Sequence, residues 1–541
     1  MDFSTDLGTK TPYPRPQLRR ESWLSLNGPW AYTVQDGEEY TRRNTGTIRV
    51  PYSPEAERSG CDFRLQTGET LWYERTFTIP DTFRGDRTLL HFGAVDQSCQ
   101  VRINDRTAGR HEGGYLPFTL DITEFLTPGE NRVTVQVDDK TDGTRHAFGR
   151  QSETPSGPWH TAQSGIWQTV WLESVPHNHV ENLTLTPDFD HSALRWAVEA
   201  QSPAARLQVW EGETCIAEAN SPTGQGSVEI PNPHPWTPED PYLYRVTVDL
   251  EGGDYVESYF GLRKFSTMEW KGHRVFALNN QPYFHHGVLD LGYWPDGLYT
   301  APSDEAMAAE IQQMKSLGFN AVRKTGKIEP LRWYYHCDRL GLLVWQDLPS
   351  GFDQFRPHTM TLPWAKLPRK DTDYKAFGRT DSAGRAQFER YLEDTVKLLY
   401  NTPSLALWTL FHEGWGQFDS LRLVEQLRAL DPTRPIDHAS GWHDQGGGDV
   451  QSLHAVGRTV KLKNDGKRVL ALTELGGGDL PTLYERQVLP YIEKEGLSAA
   501  IYHQWCDVED EQTGLVTYDR QLCKADAGAL RALAEQLKFH K

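Results

Sequence analysis

The sequence predicts a multidomain β and α/β chain: an N-terminal jelly-roll β-sandwich, an immunoglobulin-like β-sandwich and a C-terminal (β/α)8 TIM barrel. Three observations predict it. Up to about residue 176 the chain breaks into short alternating runs separated by Gly, Pro, Asn and Asp. A second block of short strands, about 177–267, has the length of one immunoglobulin-like domain. From about 268 onward, apolar runs alternate with helical patterns, as a closed parallel barrel requires. A length of 541 residues accommodates about three such domains.

In the first block (1–176), the runs at 72–79 and 131–137 alternate with period two, and little helical period intervenes. In the second (177–267), 204–210 and 242–248 do the same, without a cysteine pair of immunoglobulin type. In the third (268–541), eight strands fall in order at 283–288, 321–323, 342–345, 405–410, 435–438, 449–454, 469–473 and 499–505. One intervening helix starts at the N-cap Ser303, presents Met307, Ile311, Met314 and Leu317 on one face, and stops at Gly318. Another presents Phe388, Tyr391, Leu392, Val396 and Leu399. The connection from Ser350 to about Ser382 is long, and a loop of that length suits a rim that shapes a pocket.

Composition excludes some partners. A net charge of −18 disfavours nucleic acid and anionic membrane surfaces, which need a basic face. No transmembrane run or signal-peptide segment is evident, and six widely spaced cysteines without a CxxC pair suit a reducing compartment, so a cytoplasmic location is expected. Aromatic residues reach 11%, an excess that suits the C–H faces of sugars.

The chemistry is carried by two glutamates. The apolar run from Leu405 ends in Glu413 followed by Gly414, and the run from Val469 ends in Glu474 followed by Leu475 and Gly476. Barrel strands deliver functional groups at their C-terminal ends. Two such carboxylates are what hydrolysis of a glycosidic bond requires, one ionised and one protonated.

Across nearly the whole chain the residues resemble glycoside hydrolase family 2, the beta-galactosidase and beta-glucuronidase family. The resemblance rests on Leu26, Asn27, Gly28 and Trp30; on Trp72 and Tyr73; on His91 through Asp96; and on Ser164, Gly165 and Trp167. It continues through Phe260 to Lys264, Asn320 to Arg323, and Cys337 to Gly341. It ends in Asn401 through Trp408 leading to Glu413, and Leu472 through Gly477 around Glu474. It implies a retaining exo-glycosidase with Glu413 as acid/base and Glu474 as nucleophile. The family usually has Asn before the acid/base residue, where this chain has His412. That departure suggests an altered sugar ring, such as a furanoside.

Other candidates for the substrate pocket are Arg323, which would keep the nucleophile ionised, and Asp290, Trp345, Asp347, Trp415, Trp442, Asp444, His454, Tyr502 and Trp505 at or past strand ends. Trp415 and Trp505 are the favoured sugar platforms. His285 and His286 lie at the first strand. Each of these could equally be core or structural rim. Neither a metal nor a cofactor is expected, because the late histidines match no zinc spacing such as HExxH.

The leading expectation is removal of a terminal non-reducing sugar from an oligosaccharide or glycoside, nominally a beta-galactoside. Beta-galactofuranoside, alpha-L-arabinofuranoside and beta-mannoside stay open. Beta-glucuronide is less favoured, since the segment Asn464 to Lys467 is one residue too long for the Asn-x-Lys element of the family's glucuronidases. A reading of another class is a non-catalytic carbohydrate-binding protein, and a homo-oligomer is compatible with the sandwich domains.

Overall fold

The computed structural model describes residues 12–36, 42–61, 63–141, 146–353, 356, 359 and 369–539. In the first domain, a six-stranded antiparallel sheet runs in the order Arg42–Val50, Gly28–Asp36, Glu69–Thr78, Glu130–Asp138, Ser98–Ile103, Arg106–Glu112. It faces a four-stranded sheet that includes Arg87–Phe92 and Val170–Val175. Alternation decides the packing. Val133, Val135 and Val137 of one strand point inward, against Leu90, Phe92 and Leu172 of the opposite sheet.

The second sandwich packs a three-stranded sheet on a four-stranded one around Leu194, Trp196, Leu207 and Val246. The strand Phe265–Trp270 spans the boundary expected at 267. Its hairpin with His273–Leu278 turns toward the barrel, where Phe265, Phe276 and Leu278 pack on Leu289, Leu407 and Val469. This hairpin closes the barrel floor.

All eight expected barrel strands form, and they are parallel. They are His285–Asp290, Ala321–Lys324, Leu343–Asp347, Leu405–Thr409, Ile436–Asp437, Val450–Val456, Val469–Gly476 and Ala499–Tyr502. The ladder is continuous except between the fifth and sixth strands, where the Asp449 N–H donates to Ile436 O. The fifth strand is two residues long, so its side of the barrel has little backbone to pair.

The helix Asp304–Ser316 begins as expected: the Ser303 side chain accepts from the Ala306 N–H, and Met307, Ile311 and Met314 are buried. The helix Ser382–Leu399 buries Phe388, Leu392, Val396 and Leu399 and is capped by Asp381. Much of the long connection expected to form the rim lies outside the described residues. Its described ends pack at the barrel mouth. Phe352 joins Phe148 and Trp415, and the Arg379 Nε–H donates to Gly416 O. All six cysteines are free, and Cys99, Cys337 and Cys506 are buried. Among the described residues no helix is long and apolar enough to cross a membrane.

Candidate active site

Inward-pointing side chains alternate along barrel strands, so residues two apart occupy successive layers. In the second strand Ala321 lies in the floor layer and Arg323 above it; in the third, Leu343 and Trp345 precede Asp347. The upper layer is therefore charged. The Arg323 Nε–H and Nη2–H groups donate to Asp347 at 2.8–3.1 Å, and Nη1 donates to Thr473 O at 3.0 Å and Glu474 Oε1 at 3.4 Å. Arg323 is fully buried.

Glu413 lies just past the fourth strand. The chain there remains zipped to the fifth unit: Ser440 N–H donates to Phe411 O, and Glu413 N–H donates to Ser440 O. Glu413 has φ of 50°, the left-handed region that non-glycine residues rarely occupy, followed by Gly414 and Gly416 with positive φ. Such backbone strain recurs at functional sites. Here the flanking hydrogen bonds hold it in place.

Glu474, in the seventh strand, is paired in register with His454 of the sixth. His412, Glu413 and Glu474 each bring one nitrogen or oxygen within 4.8 Å of the others. His454 Nδ1 is 2.8 Å from Glu413 Oε1, its Nε2 is 3.7 Å from Glu474 Oε1, and Ser440 Oγ is 3.1 Å from Nε2.

These contacts set the charges. Burial alone would raise the Glu474 pKa, but His454, His412, His503 and Arg323 outweigh it and bring it down to about 2. Burial and the Glu474 charge both raise Glu413, yet the hydrogen bond from His454 and the charge of His412 win, and its pKa is lowered too. The sequence led us to expect a protonated Glu413. The His454 contact instead favours its anion.

His412 sits between two guanidiniums. Arg323 Nη2 is 3.0 Å from its Nδ1, and Arg150 Nη2 is 3.2 Å from its Nε2. An imidazole has at most one acceptor nitrogen, so at most one of these contacts is a full hydrogen bond. The same geometry tests the cluster as a metal site. Three ligand atoms are close enough, but both His412 nitrogens already face cations, so a further cation does not fit.

Several expected pocket residues lie elsewhere. Trp345 is fully buried in the barrel floor and its Nε1–H donates to His285 Nδ1; it sits one layer beneath Asp347. His285 stacks on Phe276 and burial pulls its pKa down to about 3, while His286 faces Phe319 and Gly318 O outside the barrel. Asp290 is buried against Lys324, and Trp505 is buried with its Nε1–H on Glu310. In the eighth strand Ala499 and Ile501 point inward, so Tyr502 points outward into the helix layer. Asp444 is held by both Arg468 Nη groups and by His438. Trp415 is at the site, edge-on to His412, but Trp159 stacks on it and Arg150 lies over its ring. Trp442 is half-buried beside His454, with Arg458 over its ring. Arg323, Asp347, His412, Glu413, His454 and Glu474 come together.

Sequence reasoning missed Arg150, Trp159 and His160 of the first domain, and His503 and Glu511 past the eighth strand. His503 continues the inward alternation of Ala499 and Ile501, a signal that was available. Arg150 lies 262 residues from its partner His412, and no local pattern marks it.

Comparison with known proteins agrees with this architecture. Residues 60–176 match the profile "Glycosyl hydrolases family 2, sugar binding domain", 178–263 match "Glycosyl hydrolases family 2", and 272–457 match its TIM barrel domain. A protein of Formosa agariphila named putative beta-glucuronidase is 25% identical over 411 residues, covering 73% of this chain and 43% of that protein. A Pectobacterium atrosepticum beta-galactosidase is 25% identical over 471 residues, covering 79% and 41%. The matches thus span about two fifths of these relatives. Among solved structures, a beta-D-glucuronidase of Dictyoglomus thermophilum superposes with a TM-score of 0.77 at 17% identity, covering 97% of this chain and 98% of that one. One from Ruminococcus gnavus gives 0.78 at 16%, covering 96% and 98%. At such identities the structural likeness is one of fold. With three successive domains matched in order, the chain belongs to glycoside hydrolase family 2.

Proposed function

We propose that the protein is a retaining exo-glycosidase in which Glu474 is the nucleophile and Glu413 the acid/base. The observation that carries this reading is the approach of their oxygens to within 4.8 Å at the mouth of one barrel. Retaining enzymes hold their carboxyl groups about 5–5.5 Å apart, whereas inverting ones leave room for a water at about 6.5–9.5 Å. Glu474, kept ionised by Arg323 and the surrounding histidines, attacks the anomeric carbon. Glu413 protonates the leaving oxygen, then takes a proton from the water that releases the sugar. The His454 contact holds one Glu413 oxygen and leaves the other to present the proton to the glycosidic oxygen.

A beta-galactoside is the leading glycone, and the Pectobacterium relative carries that name. The names of other relatives raise a glucuronide. Against it, Asn464 is tied to Glu495 and Lys467 is exposed, so this segment offers no anchor for a sugar carboxylate. The domain divisions at 176 and 267 and a cytoplasmic location belong to the same reading. The test is inactivation with a 2-deoxy-2-fluoro glycoside carrying a good leaving group, followed by peptide mass spectrometry. The fluorosugar is expected on Glu474. An unlabelled protein, or a label on another residue, overturns the proposal and favours the carbohydrate-binding alternative.

A further inference from the structure

The loop carrying Phe148 through Thr161 leaves the N-terminal sandwich and forms a wall of the barrel mouth. It is anchored at both ends. Phe148 and Gly149 N–H groups donate to Ser350 O, and the Thr161 N–H donates to both oxygens of Glu509. Within it, the Gln151–Ser152 and His160–Thr161 segments pair in parallel. Gly149 admits no side chain, since a Cβ there would lie 2.0 Å from Gly326 O. Phe148, Trp159, Phe352 and Trp415 lock the contact. The wall is therefore rigid, as a recognition surface should be.

This wall delivers polar groups that the protein itself leaves short of partners. Arg150 is 4% exposed and extends to His412, yet its Nε–H is buried without an acceptor and its other bonds, 3.2 Å to His412 and 3.5 Å to Pro158 O, are long. His160 is enclosed, with Nδ1 3.6 Å from Glu509 and Nε2 3.4 Å from Glu511, long contacts at the edge of hydrogen-bond reach. Glu511 splits its oxygens, Oε2 toward His160 and Oε1 toward His503 at 3.6 Å. Its Oε2 is also buried without a donor. His503 in turn acts on Glu474. Two arms thus converge on the nucleophile, Arg150 through His412 and Glu511 through His503. The remaining contacts of Arg150 and Glu511 are long and the Glu511 side chain is 13% exposed, so polar groups of a ligand can complete them.

The pairing of signs specifies that ligand. A sugar hydroxyl both donates and accepts, so adjacent hydroxyls satisfy an arginine and a glutamate together. A sugar carboxylate only accepts. It would meet Glu511 and Glu509 beside Arg150, while Arg323 is already taken up by Asp347, Thr473 O and Glu474. The His160 contact, with Arg150 and His503, holds Glu511 below its usual range against the effect of burial, so it is an anion at neutral pH.

Building on the two-glutamate reading, we infer that Arg150 of the N-terminal domain and Glu511 of the barrel form the hydroxyl-reading pole of the glycone subsite, which selects an uncharged sugar over a hexuronic acid. Both are specificity-determining residues.

The test uses the full chain and 4-nitrophenyl glycosides: galactopyranoside, galactofuranoside, arabinofuranoside and mannopyranoside against glucuronide and galacturonide. The best neutral substrate is expected to exceed either uronide in kcat/KM by about 100-fold or more, the discrimination that a site with buried polar partners achieves. Arg150→Gln and Glu511→Gln are each expected to lower kcat/KM on that substrate about 100-fold, and Glu511→Gln to narrow the neutral-to-uronide ratio about tenfold or more. Arg150→Lys, which keeps the charge but loses the fork, should recover part of the loss. Near-UV circular dichroism checks folding, and fluorosugar labelling of Glu474 in each variant checks the nucleophile. A wild-type preference for a uronide, or folded variants with unchanged selectivity, overturns the inference while a labelled Glu474 leaves the two-glutamate reading standing. Failure of Glu474 to label in the wild type overturns both.

Discussion

His454 Nδ1 lies 2.8 Å from Glu413 Oε1, and the imidazole is almost wholly buried between the two glutamates. The contact lowers the Glu413 pKa, and the His454 charge is the leading opponent of burial at Glu474. Replacing it acts on both groups in the same sense. In His454→Ala each carboxyl pKa rises. The acidic limb of kcat/KM, which reports ionisation of the nucleophile, and the basic limb, which reports loss of the acid's proton, both move to higher pH. kcat at the optimum falls about 10–100-fold, since the acid/base carboxyl loses its orienting partner. His454→Gln, which still donates a hydrogen bond, should restore part of the rate. A pH–rate profile with unmoved limbs would show that His454 does not govern these carboxyls.

Removal of Glu413 should separate the two half-reactions. In Glu413→Ala, substrates with poor leaving groups lose about 10²–10⁴-fold in kcat/KM, the usual contribution of a positioned acid. Dinitrophenyl glycosides, which leave without protonation, retain most of theirs. Azide, needing no general base, then attacks the glycosyl-enzyme. The expected product is a glycosyl azide of retained configuration, seen by NMR, with a rate that rises with azide. Absence of that product, or an azide of inverted configuration, would place the acid elsewhere.

The parts of this architecture governed by local pattern were legible in the sequence. Period two marked the sandwich strands, and Ser303 and Gly318 bounded their helix within about two residues. Glu413 and Glu474 could be singled out because an apolar strand ending in a carboxylate and glycine is a local event, and the fold brings the two together. Side-chain direction was harder to read. Trp345, Tyr502 and Trp505 all sit near strand ends, but parity and burial turn them into the floor or the helix layer. Residues contributed across domains were invisible, because the loop that brings Arg150 to His412 is positioned by packing against Ser350 and Glu509. The sequence also could not show that His454 would draw the Glu413 pKa down, since only the folded barrel brings the sixth strand's His454 to the chain past the fourth.

His412 stands where the family usually has asparagine, and it is fixed by Arg323 on one nitrogen and Arg150 on the other. An asparagine is shorter and would leave part of both guanidinium contacts unmade. His412→Asn is expected to lower kcat/KM on the best substrate about 10–100-fold, consistent with loss of one or two buried hydrogen bonds. It should also alter the ratio between galactopyranoside and galactofuranoside, because the side chain beside both glutamates changes reach. Initial rates on the two aryl glycosides measure this. An unaltered ratio would remove ring size from the reasons for histidine here.

Glu173 tests how the domains are held together. It is fully buried and accepts from Arg15, Arg20, Tyr13 and the Trp171 indole, while Arg20 also bonds Asp254 of the second sandwich. Burial would raise its pKa, but Arg15, His91 and Arg20 outweigh that and hold it well below the usual carboxylate range. A depressed folded-state pKa gives stability that is fully present above the unfolded value of about 4.3 and is lost as pH falls toward the folded value. Glu173→Gln leaves the part-buried Arg15 without a carboxylate and Arg20 with Asp254 alone, at a cost of about 3 kcal/mol near neutral pH. The variant should also lose less stability than the wild type between about pH 6 and pH 3, because the group whose protonation weakens the wild type is gone. Urea unfolding at several pH values measures both effects. Parallel stability curves would mean that Glu173 contributes nothing to acid sensitivity, and a loss below about 1 kcal/mol would mean that the buried ion network is not what couples the two sandwiches.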